Sequence, residues 1–155
     1  MPVKSNAPLS IGPGYQQRGI GNFFTTDSYN YVHIKTSIGQ QTYIMPMIEL
    51  IGYSYGTAQP IRMAFVIYTY SYLISNWENA YGGLVGNGVY ISSDGYICLR
   101  LYTGSTYFIG FSMDAYSVAG NGAQVEIGIL AMTANNNSGN AYWYESTRFS
   151  YIAKY

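Results

Sequence analysis

The side chains able to do chemistry are few and scattered. The chain holds one histidine, His33, and one cysteine, Cys98. His33 is the only side chain whose ordinary pKa makes it a ready general base near neutral pH. It lies mid-strand on a face shared with tyrosines, and the sequence places no serine nucleophile or carboxylate beside it. It reads as a half-buried strand histidine hydrogen-bonded to a tyrosine or to the main chain. The seven carboxylates (Asp27, Glu49, Glu78, Asp94, Asp114, Glu126 and Glu145) are spread along the chain, and Asp94 is taken up by a hairpin turn. Asp114, in FSMDAY, and Glu126, in QVEIG, fall at strand ends and could converge as a glycosidase pair. The plainer role for them is an ion pair or hydrogen bond with Arg62 or Arg100. Cys98 shares a strand face with Tyr96 and Arg100 and reads as a small buried hydrophobe.

Single copies of Cys and His also exclude a disulfide framework, a Cys-based zinc site and a multi-histidine metal site. No metal or cofactor is expected. Gly86-Asn87-Gly88 and Gly120-Asn121-Gly122 are turns that open no helix, so they make no phosphate cradle. The feature that invites a ligand is the excess of tyrosine: 19 residues, within an aromatic content of 17%. Tyrosine offers a flat apolar face and a hydroxyl at low entropy cost. Tyr53, Tyr55, Trp77, Tyr81, Tyr116, Tyr142 and Trp143 are expected in loops as candidate ligand-binding rings. The same rings would also serve at subunit interfaces.

Composition narrows the classes further. At 155 residues and 17.2 kDa the chain is one domain's worth. Seven Lys+Arg balance seven Asp+Glu. Without a basic excess there is no electrostatic case for nucleic acid or for a polybasic membrane anchor. Charged residues are only 9% of the chain, far below the average of about 25%. A weakly charged, neutral surface tends to associate. The start MPVKSNAPLSIGPG carries prolines and glycines where a signal peptide would carry its apolar core. Synthesis in a cytoplasm is expected, and so is no membrane insertion.

The elements that position these residues are strands. Residues 1–28, broken by Pro2, Pro8, Pro13, Gly12, Gly14, Gly19 and Gly21, read as an extended arm. Alternation then predicts strands over 29–36, 40–56, 58–75, 106–118 and 124–134. Pro46 lacks a ladder donor, which predicts an edge strand or a bulge there. Residues 76–88 read as a glycine-rich loop. Residues 89–102 read as a hairpin around Asp94-Gly95. Residues 135–140 read as a polar loop and 142–155 as a last strand or tail. Eight strand candidates and no amphipathic helix predict an all-β antiparallel sandwich or jelly roll. Its sandwich domain would span 29–134, with the arm before it and a C-terminal segment, 135–155, after it.

Several of these strands are apolar on both faces. In 58–75, Ile61, Met63, Phe65, Ile67 and Thr69 oppose Arg62, Ala64, Val66, Tyr68, Tyr70 and Tyr72. A two-layer sandwich covers one face only, so the other needs a cover, and copies of the same chain are the simplest one.

The text IELIGYSYGTAQPIRMAFVIYTYSY, followed by GVYISSDGYICLRLY and TYFIGFSMDAYSVAGNG, resembles a β-rich module of tailed-bacteriophage virion proteins, seen at the C-termini of tail fibres. The resemblance covers about Tyr31 to Ala134. It implies a non-enzymatic, trimeric module at the outer end of a virion protein. The expectation is therefore an exterior virion protein, a homotrimeric β-knob of tail-fibre or capsid-decoration type that contacts other virion proteins and a host-surface glycan. The alternatives are a lectin-like carbohydrate-binding module using the Tyr/Trp loops, and a glycan-degrading enzyme using Asp114 and Glu126.

Overall fold

The computed structural model describes residues 9–11, 16–40, 44–70, 73–82, 87–119, 122–123, 125–136 and 152–154, with backbone alone for 9–11, 73, 75–82 and 152–154. Eleven strands are described: β1 (Leu9–Ile11), β2 (Gln16–Thr25), β3 (Tyr31–Gly39), β4 (Ile44–Ser54), β5 (Gln59–Tyr70), β6 (Leu73–Gly82), β7 (Asn87–Ile91), β8 (Tyr96–Tyr102), β9 (Ile109–Ala119), β10 (Ile129–Asn135) and β11 (Ile152–Lys154). A 3-10 turn, Tyr55–Thr57, joins β4 to β5. The strands form two antiparallel sheets, one in the order β1-β2-β9-β4-β5-β6 and one in the order β10-β3-β8-β7-β11. The expected all-β sandwich is what the chain builds.

Period-two alternation explains the core. Along β5, Ile61, Met63, Phe65, Ile67 and Thr69 are buried while Arg62, Val66, Tyr68 and Tyr70 are exposed. Ile48 and Leu50 of β4, and Ile109, Phe111 and Met113 of β9, join the same core. The five-stranded sheet supplies Val32, Ile34 and Ile38 from β3, Val89 and Ile91 from β7, and Ile97, Leu99 and Leu101 from β8. Each large side chain so buried contributes roughly 1.5–3 kcal/mol.

The two sheets differ on their outer faces. On the five-stranded sheet the middle of that face is buried: His33, Tyr90 and Cys98 fully and Arg100 nearly so, with Tyr102 exposed beside them. The outer face of the six-stranded sheet carries exposed Phe24, Met45, Ile51, Tyr53, Val66, Tyr68, Tyr70 and Tyr116.

Four expectations are corrected. Pro46 does not mark an edge, because β4 lies between β9 and β5. The proline is tolerated because the ladder to β5 starts one residue past it, at Met47↔Val66. Residues 58–75 are not one strand but β5 and the start of β6. Residues 73–82, which take in much of the expected glycine-rich loop, are strand, paired with β5 from Gly82↔Arg62 to Leu73↔Tyr70. Finally, the sandwich draws on chain outside 29–134. β2 pairs with β9 from Gln16↔Tyr116 to Thr25↔Ile109, and β11 pairs with β7.

Two of the glycines that break the period in the arm, Gly19 and Gly21, have structural reasons. Gly19 has φ +69 at the register shift between Gln17 and Gly21, a bulge that suits a residue without a Cβ. A Cβ at Gly21 would come within 2.8 Å of Ile129 and 2.9 Å of Met113.

The tightest approach is at Gly52, where a Cβ would meet the Gly110 carbonyl oxygen at 2.0 Å and Phe111 Cα at 2.5 Å. Both neighbours are backbone and cannot swing aside. Gly52→Ala is therefore expected to cost at least about 3 kcal/mol, read as a lowered urea midpoint or loss of soluble protein. Gly122→Ala, with φ +82 and nothing within 4 Å, is expected to cost only about 1 kcal/mol.

Candidate binding surfaces

The residues with catalytic potential are tied into structure. His33 Nδ1 lies 2.8 Å from the Tyr90 hydroxyl, and the two rings meet edge-on at 5.7 Å. The Arg100 guanidinium covers the Tyr31 ring at 4.9 Å. These groups share the covered outer face of the five-stranded sheet, where no substrate reaches the imidazole without local opening. His33 is thus fully rather than half buried, with the tyrosine partner expected for it.

Asp114 is held by Arg18 at 3.5 Å and accepts the Gly19 main-chain N–H at 2.8 Å. Its ion partner is therefore Arg18, not Arg62 or Arg100. Its register neighbour is Glu49, both on the outer face of the six-stranded sheet. Glu126 is exposed on the segment between β9 and β10, so the register pairs Asp114 with a different carboxylate from the one expected. Asp94 sits in the β7–β8 turn, accepting from Ser92 Oγ at 2.6 Å and from Lys35 Nζ at 2.5 Å. Lys35 and Ser92 together hold its carboxyl below the ordinary 3.8. Burial pushes the Cys98 thiol up to about 12, which makes it inert at neutral pH. A cleft of about 250 Å³ beside this turn is lined by Gly39, Gln40, Asp94, Gly95 and Tyr96. Its polar groups are partly engaged: the Gln40 main-chain N–H donates to Gly95 O at 2.8 Å. Among the described residues no group of three or more His, Cys, Asp or Glu could hold a metal ion.

The exposed aromatic and apolar surface lies mostly in two zones of the six-stranded sheet and its adjoining loops, with Tyr102 and Leu130 exposed on the other sheet. Register fixes the zones. Towards one end of the outer face lie Met45 and Met47 of β4, Val66, Tyr68 and Tyr70 of β5, and Tyr116 of β9, with Met47 directly between Val66 and Tyr116. Two polar rungs come next: Ala64, Glu49 and Asp114, then Arg62, Ile51 and Ser112. Beyond them Tyr53 and Phe24 flank Gly110, where a Cβ would sit 3.1 Å from the Phe24 ring and 3.8 Å from that of Tyr53.

At that end the chain turns over. Tyr55 of the 3-10 turn and Tyr107 and Phe108 of the β8–β9 connection stand exposed. Phe108 meets Tyr55 edge-on at 6.0 Å and Tyr107 edge-on at 5.3 Å. Main-chain bonds lock the two connections together, Tyr55 N–H to Phe108 O at 3.1 Å and Gly56 N–H to Tyr107 O at 3.2 Å.

The structure thus brings Tyr53 and Tyr55 into one cluster and puts Tyr116 in the other zone. Tyr53 and Tyr116 stand on strands rather than loops, because alternation carries them outward from β4 and β9. Trp77 and Tyr81 are strand positions of β6, opposite Ile67 and Met63. Tyr142 and Trp143 lie outside the described residues. Sequence reasoning does not single out Phe24, Tyr107 or Phe108.

No family model, curated protein or solved structure matches the chain.

The engaged groups can be tested directly. Cys98 is expected to resist a thiol reagent such as a disulfide-exchange dye in the folded protein and to react fully in urea. Asp94→Asn is expected to lower stability at pH 7 by under about 1 kcal/mol, because the Asp94 side chain is 54% exposed and its Lys35 pair is screened. A depressed carboxyl stabilises the fold above its unfolded pKa and loses that contribution as pH falls. The difference between wild type and variant should therefore narrow below pH 3.8, as read from urea midpoints across pH.

Proposed function

We propose that the chain is a non-enzymatic structural protein of the exterior of a tailed-bacteriophage particle, an oligomeric β-knob of tail-fibre or capsid-decoration type. The carrying observation is the apolar zone of the six-stranded sheet. Val66, Tyr68 and Tyr70 are each more than half exposed there, on a chain with no net charge and few ionic groups. Clustered exposure of this kind marks an interaction surface. The occupant is a second copy of the chain. An uncharged zone edged by Glu49, Asp114 and Arg18 suits a contact between copies of the chain with a polar rim, and a stable one needs about 800 Å² per partner. Three-fold assembly and the virion setting rest on the resemblance of the segment around GYSYG, SSDGY and SMDAY to virion modules.

β2 belongs to the six-stranded sheet, so the test keeps the full chain. Native mass spectrometry at micromolar concentration is expected to give a trimer. The double variant Val66→Glu, Tyr68→Glu is expected to give a folded monomer with an unchanged circular dichroism spectrum. A wild-type monomer, or a variant that stays trimeric, contradicts the reading. Immunogold labelling of purified particles checks the setting: label on the particle exterior is expected, and chain absent from particles contradicts it.

A further inference from the structure

The loop end of the sandwich carries a second surface, apart from the zone proposed for self-association. It is built from two connections, 54–58 and 103–108, bonded to each other through the main chain. All three non-glycine residues with left-handed φ among the described residues lie in these connections: Ala58 at +53, Ser105 at +60 and Phe108 at +55. A bulky aromatic residue enters that region only when its surroundings hold it there. The Phe108 ring is held between Tyr55 and Tyr107 in edge-on contacts at interplanar angles of 80° and 74°. Tyr55 and Tyr107 nonetheless remain 67% and 49% exposed, so ring surface stays open to a ligand.

The chemistry around the rings selects the ligand. Residues 54–58 (SYGTA) and 103–108 (TGSTYF) contain no Asp, Glu, Lys, Arg or His. The adjoining charge is that of exposed Asp27, on the connection whose Ser28 Oγ donates to Ser105 O at 2.5 Å. A carboxylate there disfavours an anionic ligand. Hydroxyls are dense: Ser54, Thr57 and Thr106 are linked in one cluster through Ser54 Oγ, 2.8 Å from Thr57 and 3.3 Å from Thr106. An extended peptide adding as a strand would need free main-chain groups. Those of Tyr55 and Gly56 are already paired with Phe108 and Tyr107. A flat ring with polar edges and an apolar face needs only the exposed aromatic faces and nearby hydroxyls.

We propose that this end is a preformed site for a neutral, pyranose-bearing glycan, with Tyr55, Tyr107 and Phe108 as the stacking platform and Tyr53 and Phe24 as its continuation onto the sheet. The site needs no second copy of the chain, since every residue in it comes from one subunit. The polar rungs through Glu49 and Ile51 separate it from the apolar zone assigned to self-association.

The test is binding of the full chain to an immobilised array of neutral hexose and N-acetylhexosamine oligosaccharides alongside their sialylated counterparts. Capture by neutral glycans is expected, followed by titration of the best-bound soluble oligosaccharide. Tyr55→Ala and Tyr107→Ala are each expected to weaken binding at least about tenfold. Tyr55→Phe keeps the ring and is expected to retain binding within about threefold. The glutamate double variant at Val66 and Tyr68 is expected to keep the affinity for the soluble sugar, so failure of the assembly and failure of the site read out separately. No capture, capture of sialylated glycans alone, or affinity unmoved in both alanine variants overturns the proposal.

Discussion

A β-sheet has two faces, and a two-layer sandwich covers only one face of each sheet. The character of this protein depends on how the chain treats the two outer faces left over. On the five-stranded sheet the outer face is closed over a polar cluster, in which His33 meets Tyr90 and Arg100 covers Tyr31. On the six-stranded sheet the outer face stays open and keeps large apolar side chains. Leaving Val66, Tyr68 and Tyr70 in water forgoes burial worth roughly 25 cal/mol per Å². A surface of that kind is maintained where something else covers it.

Several of the chemically capable residues are engaged in structure. The lone imidazole is sealed in the closed face, and the Cys98 thiol is raised by burial to about 12. Two carboxylates that reach solvent are spent on geometry. Asp114 fastens the β2 bulge through Gly19 and Arg18, and Asp94 fastens the β7–β8 turn through Ser92 and Lys35. Charge at these sites pins turns and bulges, and aromatic surface is left to meet partners.

Much of this was legible in the residues. The two faces of β5 were readable to the residue, because period two admits only one split of Ile61 to Thr69 against Arg62 to Tyr70. The Asp94-Gly95 turn was equally plain, and Gly95 adopts φ +89. The features that depend on distant partners were not readable. Pro46 looked like an edge because nothing local says that β9 comes to pair on its other side. β2 looked like an irregular arm because Gly19 and Gly21 answer to Asp114, Met113 and Ile129, about a hundred residues away. Of the ring candidates, Tyr53 and Tyr55 were named from sequence. Their companions Phe24, Tyr107 and Phe108 come together only when β2, β4 and β9 lie side by side.

On the reading proposed above, the outer face of the six-stranded sheet is divided: one zone is covered by copies of the chain and the loop end is left open. Hydroxyl-radical footprinting of the full-length protein at micromolar concentration reads both zones at once. Slow labelling of Tyr68 and Tyr70 and fast labelling of Tyr55 and Tyr107 are expected, although all four are exposed in the single chain. Equal labelling of the two pairs would contradict this division.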